Sequence, residues 1–167
     1  MARIKDLISP KLNAFLDLIA WSELGRGLLD LSDDGYNILV GSTVQKPLLF
    51  TSYNGHPQQK IYIPRLGVYS TAAGRYQILK KTWGWIKTRV SKHVYSLDFG
   101  PECQDWAAIE LIKYRQALEL VEQNRIESAI EHCALEWASF PGGPYGQGNH
   151  TIDRLMERYE ELSNGEM

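Results

Sequence analysis

The stretch Ser9-Pro-Lys-Leu-Asn-Ala-Phe-Leu-Asp-Leu-Ile-Ala-Trp-Ser-Glu23 decides how the rest of the chain is read. Ser9 can accept from free backbone N–H groups and Pro10 is preset for a first helical position, so the segment opens a helix. Leu12, Phe15, Leu16 and Ile19 recur at helical spacing and share one stripe. Glu23, four residues after Ile19, lands near the centre of that stripe, where a core residue belongs. Apolar surroundings disfavour a charged carboxyl and raise its pKa, as a general acid working near neutral pH requires. The same position also suits a structural role, as a cap or as the partner of Arg26 or Arg75.

Working outward, Gly25 and Gly27 predict the end of this helix, and Asp33-Asp34-Gly35 a turn into a short strand, Tyr36–Val40. Leu48–Thr51 and Lys60–Ile63 are further candidate strands around a turn at Tyr53-Asn54-Gly55-His56-Pro57. Helical spacing returns from Ala72 through Arg75–Lys81, with Thr82 placed to cap Trp83–Val90. Pro101 begins the longest helical stretch, broken near Gln116 and Asn124. Ile126, Ala129, Ile130, Cys133, Ala134 and Trp137 predict a further helix ending just before Pro141. A loop, Pro141–Gly148, precedes a last helix with Ile152, Leu155, Met156 and Tyr159 on one face. The expected fold is α+β, mainly α-helical, one domain over residues 1–167 with a small antiparallel β region at about 35–65. Most of the five tryptophans are expected in the core.

With 167 residues, 44% of them apolar, the chain can bury a core without disulfide or metal staples. No apolar run approaches the ~20 residues that cross a bilayer, and Asp6, Lys11 and Asp17 interrupt the early segment where a signal peptide needs continuity. Synthesis in the cytoplasm without membrane insertion is the expectation. Cys103 and Cys133 form no CxxC pair and the four histidines are scattered, so two buried reduced thiols, no metal and no cofactor are expected. The net charge of −2 conceals a division: residues 1–97 carry 13 Lys+Arg and 6 Asp+Glu, residues 98–167 carry 5 and 14. From Gly35 to Leu97 nine basic residues occur with no carboxylate at all. Such a stretch suits an anionic polymer, or else is neutralised by the acidic helices that follow. A nucleic acid is not the expected partner, since no recognised motif accompanies the basic residues and the second half is acidic.

Glycoside cleavage by hydrolysis usually needs two carboxylates flanking the bond. The carboxylate-free stretch leaves only Asp30, Asp33 and Asp34 as nearby partners of Glu23 in the first half.

Five segments carry a resemblance to a known family. They are Ala14-Phe-Leu-Asp-Leu-Ile-Ala-Trp-Ser-Glu23, Gly35-Tyr-Asn-Ile-Leu-Val-Gly41, Leu49-Phe-Thr-Ser-Tyr-Asn-Gly-His-Pro57, Ser70-Thr-Ala-Ala-Gly-Arg-Tyr-Gln-Ile-Leu79 and Trp137-Ala-Ser-Phe-Pro-Gly-Gly-Pro-Tyr-Gly-Gln147. In this order, over about residues 12–162, the chain resembles the lambda-type endolysins, lytic transglycosylases with a lysozyme-like fold. The resemblance implies that Glu23 is the catalytic acid. It implies a cleft-lining role for Ser70, Thr71, Gly74, Arg75, Tyr76 and Gln77. It also implies two lips, around Tyr53–Lys60 and in the glycine-rich loop up to Gln147, with Tyr53, His56, Tyr145 and Gln147 as glycan contacts. Three departures stand out: Asn37 where the family has aspartate, a longer connection from Gly41 to Leu48, and a pI near 6.1 where the resembled enzyme is basic.

The expected activity is cleavage of the β-1,4 bond between N-acetylmuramic acid and N-acetylglucosamine, Glu23 acting as acid and then as base to close a 1,6-anhydro ring. The rivals are a hydrolytic lysozyme using Asp33 or Asp34 with water, and a phage structural protein that binds peptidoglycan without turnover. The family further implies a monomer held in the host cytoplasm until a holin permeabilises the membrane, after which it reaches the periplasmic cell wall.

Overall fold

Helix α1 runs Pro10–Asp30. Its start is built as the sequence indicates: the Leu12 amide donates to Ser9 Oγ at 3.1 Å, and Ser9 Oγ donates to Glu122 Oε1 at 2.7 Å. Leu12, Phe15, Leu16 and Ile19 are all buried, and so are Ala14, Leu18 and Ala20, so the helix is enclosed on most of its circumference. Full burial of side chains such as Phe15 and Leu16 stabilises by roughly 1.5–3 kcal/mol each. As expected, helical geometry breaks at the first of the two glycines, but it resumes beyond Gly25 and passes through Gly27. Gly25 interrupts it at φ 71° and ψ 160°, and one further turn, closed by an Arg26–Asp30 ion pair of 2.9 Å, follows the kink.

The computed structural model describes residues 1–143 and 150–165. The chain groups into two compact units, residues 1–23 with 108–167, and residues 24–107. In the first, the latter part of α3 (Pro101–Tyr114) joins α4 (Leu118–Glu122), α5 (Ile126–Cys133) and α6 (Ile152–Ser163). The breaks between α3, α4 and α5 fall where the sequence indicates, with Gln116 at φ 58° and Asn124 at φ 60°. Leu155 and Tyr159 of α6 are buried, and Arg154 and Arg158 lie over the Trp21 ring at 5.5 and 5.8 Å. Helix α5 ends at Cys133, not before Pro141. Residues 134–140 continue as turns, bonded from Trp137 N to the Cys133 carbonyl and from Phe140 N to the Trp137 carbonyl, and Glu136 is fixed by Arg115 at 2.8 Å. The Phe140 ring then meets Phe15 at a centroid distance of 6.2 Å.

In the second unit the sheet is an antiparallel hairpin of β1 (Ile61–Ile63) and β2 (Val68–Ser70), registered Ile61↔Ser70 and Ile63↔Val68. It lies at the far edge of the expected 35–65 region and beyond it. Tyr36–Val40 and Leu48–Thr51 do not become strands. Single bridges Ile38↔Leu49 and Leu39↔Ala73 join them to different partners, while Ser42 Oγ, bonded to the Leu39 carbonyl and the Leu48 amide, replaces ladder bonds. Residues 72–79 are not helical either. Gly74 at φ 77° and Gln77 at φ 47° close a tight turn across an Ala73↔Ile78 bridge. Helix α2 (Lys80–Val90) starts earlier than Thr82, and the hydroxyl at its N-terminus belongs to Thr71, which accepts from the Lys80 amide at 3.1 Å. Trp83 and Trp137 are buried, Trp21 and Trp106 half-buried, and Trp85 exposed. No helix among the described residues is long and apolar enough to cross a membrane.

The backbone at Gly25 lies in a region that essentially only glycine occupies, two residues after Glu23. Gly25→Ala is expected to cost about 1–3 kcal/mol, seen as a lower Tm and urea midpoint. Gly84→Ala, in α2 with open space at the added carbon, is expected to raise Tm, by about 0.5–1 kcal/mol of stability.

Candidate active site

Glu23 projects from the last turn of α1 before the kink, half-buried, in the first unit. Its Oε1 accepts from Ser139 Oγ at 2.6 Å and, at the longer distance of 3.3 Å, from the Ser139 amide. Burial raises the Glu23 pKa above the usual carboxylate range, and the two Ser139 bonds offset this only in part. The structural alternatives to a chemical role are filled by other groups: Arg26 pairs with Asp30, and Arg75 with Asp34 at 2.7 Å. Ser139 was not legible as a site residue, because a small residue in Trp-Ala-Ser-Phe looks like helix packing until the chain is seen to turn there.

The second unit holds the remaining described candidates. Arg75 is wholly buried, against the expectation of a glycan contact. Its guanidinium reaches the carboxylate and carbonyl of Asp34 and lies over the rings of Tyr36 and Tyr76 at 5.3 and 5.9 Å. Tyr76 is buried as well. Its hydroxyl donates to Asp105 Oδ1 at 2.6 Å, the same oxygen that receives the Tyr36 hydroxyl at 2.7 Å. Gly74 serves packing: a Cβ there would meet Gln104 Oε1 at 2.1 Å. That Gln104 amide accepts from Arg75 N and donates to the carbonyls of Tyr36 and Phe99. Arg75 and Tyr76 are therefore corrected from side-chain glycan contacts to parts of a buried polar core, since their side-chain space is already filled; at Gly74 the same core leaves no room for a Cβ.

His56 is corrected in the same way. It is buried, its Nδ1 accepts from the Gln58 amide at 3.0 Å, and its Nε2 donates to the Ile78 carbonyl at 2.8 Å, which fixes a neutral tautomer. Burial lowers its pKa. Tyr53, Ser70, Thr71 and Gln77 are half-buried and retain some exposure. Tyr53 Oη donates to Asp33 Oδ2 at 2.7 Å, Ser70 Oγ accepts from Ala72 N, and Gln77 Nε2 donates to the Gly74 carbonyl. Tyr145 and Gln147 lie outside the described residues.

Of the aspartates nearest Glu23 in the sequence, Asp33 holds Tyr53, and Asp34 holds Arg75. Burial alone would raise the Asp34 pKa, but charge interactions led by Arg75 bring it below the ordinary value. No group of three or more His, Cys, Asp or Glu among the described residues could hold a metal ion. Cys103 and Cys133 are free and buried as expected, and burial pushes the Cys103 thiol up to about 11.

A half-buried carboxyl at a helix kink, in a mainly helical α+β fold with a small hairpin, is a lysozyme-like arrangement. Residues 13–166 match the family model for endolysins. The endolysin of Escherichia phage lambda is 38% identical over 156 residues, covering 92% of each chain, and that of Escherichia phage P2 is 39% identical over 148 residues, covering 86% and 87%. Among solved structures, bacteriophage lambda lysozyme complexed with a chitohexasaccharide superposes with a TM-score of 0.81 at 36% identity, over 93% of this chain and 95% of that one. The chain belongs to the endolysin family.

Two outcomes follow from the buried groups. Arg75→Met removes the buried guanidinium from its contacts with Asp34, Tyr36 and Tyr76 and is expected to lower the urea midpoint, whereas a glycan-contact role would change KM and leave stability alone. Because the His56 pKa is lowered in the fold, the unfolded chain takes up that proton first, so stability is lost as pH falls below about 6.5. In His56→Gln the acid slope of the unfolding free energy is expected to be shallower.

Proposed function

We propose that this endolysin, a peptidoglycan-cleaving enzyme of lysozyme type, is a lytic transglycosylase that cuts the β-1,4 bond between N-acetylmuramic acid and N-acetylglucosamine. The observation that carries the reading is the Glu23 carboxyl, whose pKa burial raises, together with the finding that Asp30, Asp33 and Asp34 are each already engaged by another group. In the proposed reaction Glu23 gives its proton to the glycosidic oxygen, the C1–O bond breaks, and positive charge develops at C1 of the muramic sugar. Glu23, now a carboxylate, takes the proton of that sugar's own 6-hydroxyl as its oxygen bonds to C1. The acid is regenerated, a 1,6-anhydro ring closes, and no water is consumed. One carboxylate suffices. Hydrolysis through Asp33 or Asp34 would require either to leave the Tyr53 or Arg75 contact that now holds it.

The glycan is the proposed partner, in keeping with the chitohexasaccharide bound to lambda lysozyme. Tyr53, Ser70, Thr71 and Gln77 keep the exposure a sugar contact needs. Eight exposed basic residues between Gly35 and Leu97 favour attraction to an anionic wall, an effect that weakens as salt shortens the Debye length to about 8 Å. We also propose that the protein works as a monomer, waits in the host cytoplasm, and reaches the wall once a holin opens the membrane.

Mass spectrometry of digested cell wall tests the chemistry: products ending in 1,6-anhydro-muramic acid are expected, and reducing-end muramic acid in their place would refute ring closure. Glu23→Gln is expected to lower the rate by at least about a hundredfold in a turbidity assay on permeabilised cells. Equal clearing by both proteins would remove Glu23 from the mechanism.

A further inference from the structure

Ser139 is buried, yet both of its hydrogen-bond donors converge on one atom. Its hydroxyl lies 2.6 Å and its amide 3.3 Å from Oε1 of Glu23. Among the described residues, every hydrogen bond to the Glu23 carboxyl falls on that oxygen. Behind Ser139, Ser22 Oγ stands 2.9 Å from Ser139 Oγ and donates to the Ile19 carbonyl, also at 2.9 Å. All three residues belong to the first unit.

This arrangement breaks the symmetry of the carboxyl. The Ser139 amide can only donate, and with the Ser139 hydroxyl donating to the same atom Oε1 acts as an acceptor, so a proton on Glu23 resides on the other oxygen, Oε2. Without those donors either oxygen could carry it. The Ser139 hydroxyl has one hydrogen and two candidate acceptors, Glu23 Oε1 and Ser22 Oγ. The shorter distance and the carboxylate charge favour Glu23. When Glu23 is ionised, Ser22 can turn its hydrogen from the Ile19 carbonyl to Ser139 Oγ, which completes a chain Ser22→Ser139→Glu23. When Glu23 is protonated, Ser22 returns to the carbonyl. Both states keep their partners by rotation of O–H bonds alone, with no movement of heavier atoms.

We propose that Ser139, backed by Ser22, is a positioning residue for Glu23: it holds Oε1 as an acceptor and leaves Oε2 to carry the proton that is given up and taken back. The proposal rests on the reading of Glu23 as the acid and base of the reaction.

The test is Ser139→Ala, read by the pH profile of kcat and by direct carbon NMR titration of the Glu23 carboxyl. Loss of a donor to the charged form is expected to move the titration and the alkaline limb of kcat to higher pH. The kcat value is expected to fall about tenfold, a fraction of the roughly 10²–10⁴-fold that general acid–base catalysis supplies, with KM changed less than about twofold. If the alanine variant does not fold, Ser139→Cys, of similar size and a poorer donor, must move the titration in the same direction. An unmoved titration and an unmoved limb in a folded variant would overturn the proposal. Glu23→Gln separates the two levels. Activity retained there defeats the acid–base assignment, while the titration in the Ser139 variant still decides whether Ser139 holds the group.

Discussion

Burial of α1 on most of its circumference is the constraint on which the first unit depends. A helix that meets the Phe140 ring at Phe15 and α6 at Trp21 and Lys11 is held against rotation and sliding, because Leu12, Phe15, Leu16 and Ile19 are each buried in close-packed surroundings. The carboxyl four residues beyond Ile19 inherits that rigidity. It is placed by packing upstream, desolvated by the same apolar neighbours, and released from the helical path two residues later by the backbone of Gly25. Placement and an elevated pKa therefore have a common origin.

The second unit achieves rigidity differently. It has little regular secondary structure, and its centre is polar: Asp105 receives two tyrosine hydroxyls, Arg75 joins Asp34 to two rings, and Gln104 satisfies three backbone groups. In networks of this kind, removing one buried polar group leaves its partner desolvated. That is why the Ser70-to-Leu79 segment tolerates so few choices of side chain: at Gly74 there is no room for a Cβ, and at Arg75 and Tyr76 the polar ends are already committed. Ser70, Thr71 and Gln77, on the outer side of the same turn, are left with exposure that a ligand could use.

What the sequence makes legible divides along the same line. Helix α1, the breaks at Gln116 and Asn124, and the burial of Leu155 and Tyr159 follow from local periodicity and turn chemistry, which act over a few residues. Glu23 was legible because a carboxylate in an apolar stripe contradicts its neighbours. The strands expected at Tyr36–Val40 and Leu48–Thr51 fail because tertiary partners override local preference: Ile38 and Leu39 bond to different segments, and Ser42 supplies side-chain bonds where a ladder would run. Ser139 and Asp105 were not legible at all. Their importance lies in contacts 116 and 69 residues distant along the chain, which no local pattern announces.

The two cysteines sit one in each unit, both buried, neither paired, and both with thiols whose ionisation burial suppresses. Since the thiolate is the reactive species, each sulfur is protected only while its own surroundings stay closed. The protein thus carries two independent chemical clocks: the rate at which Cys103 or Cys133 is alkylated measures how often the unit around it opens, without any added label and without disturbing Glu23. Those two rates would reveal which part of the protein loosens first.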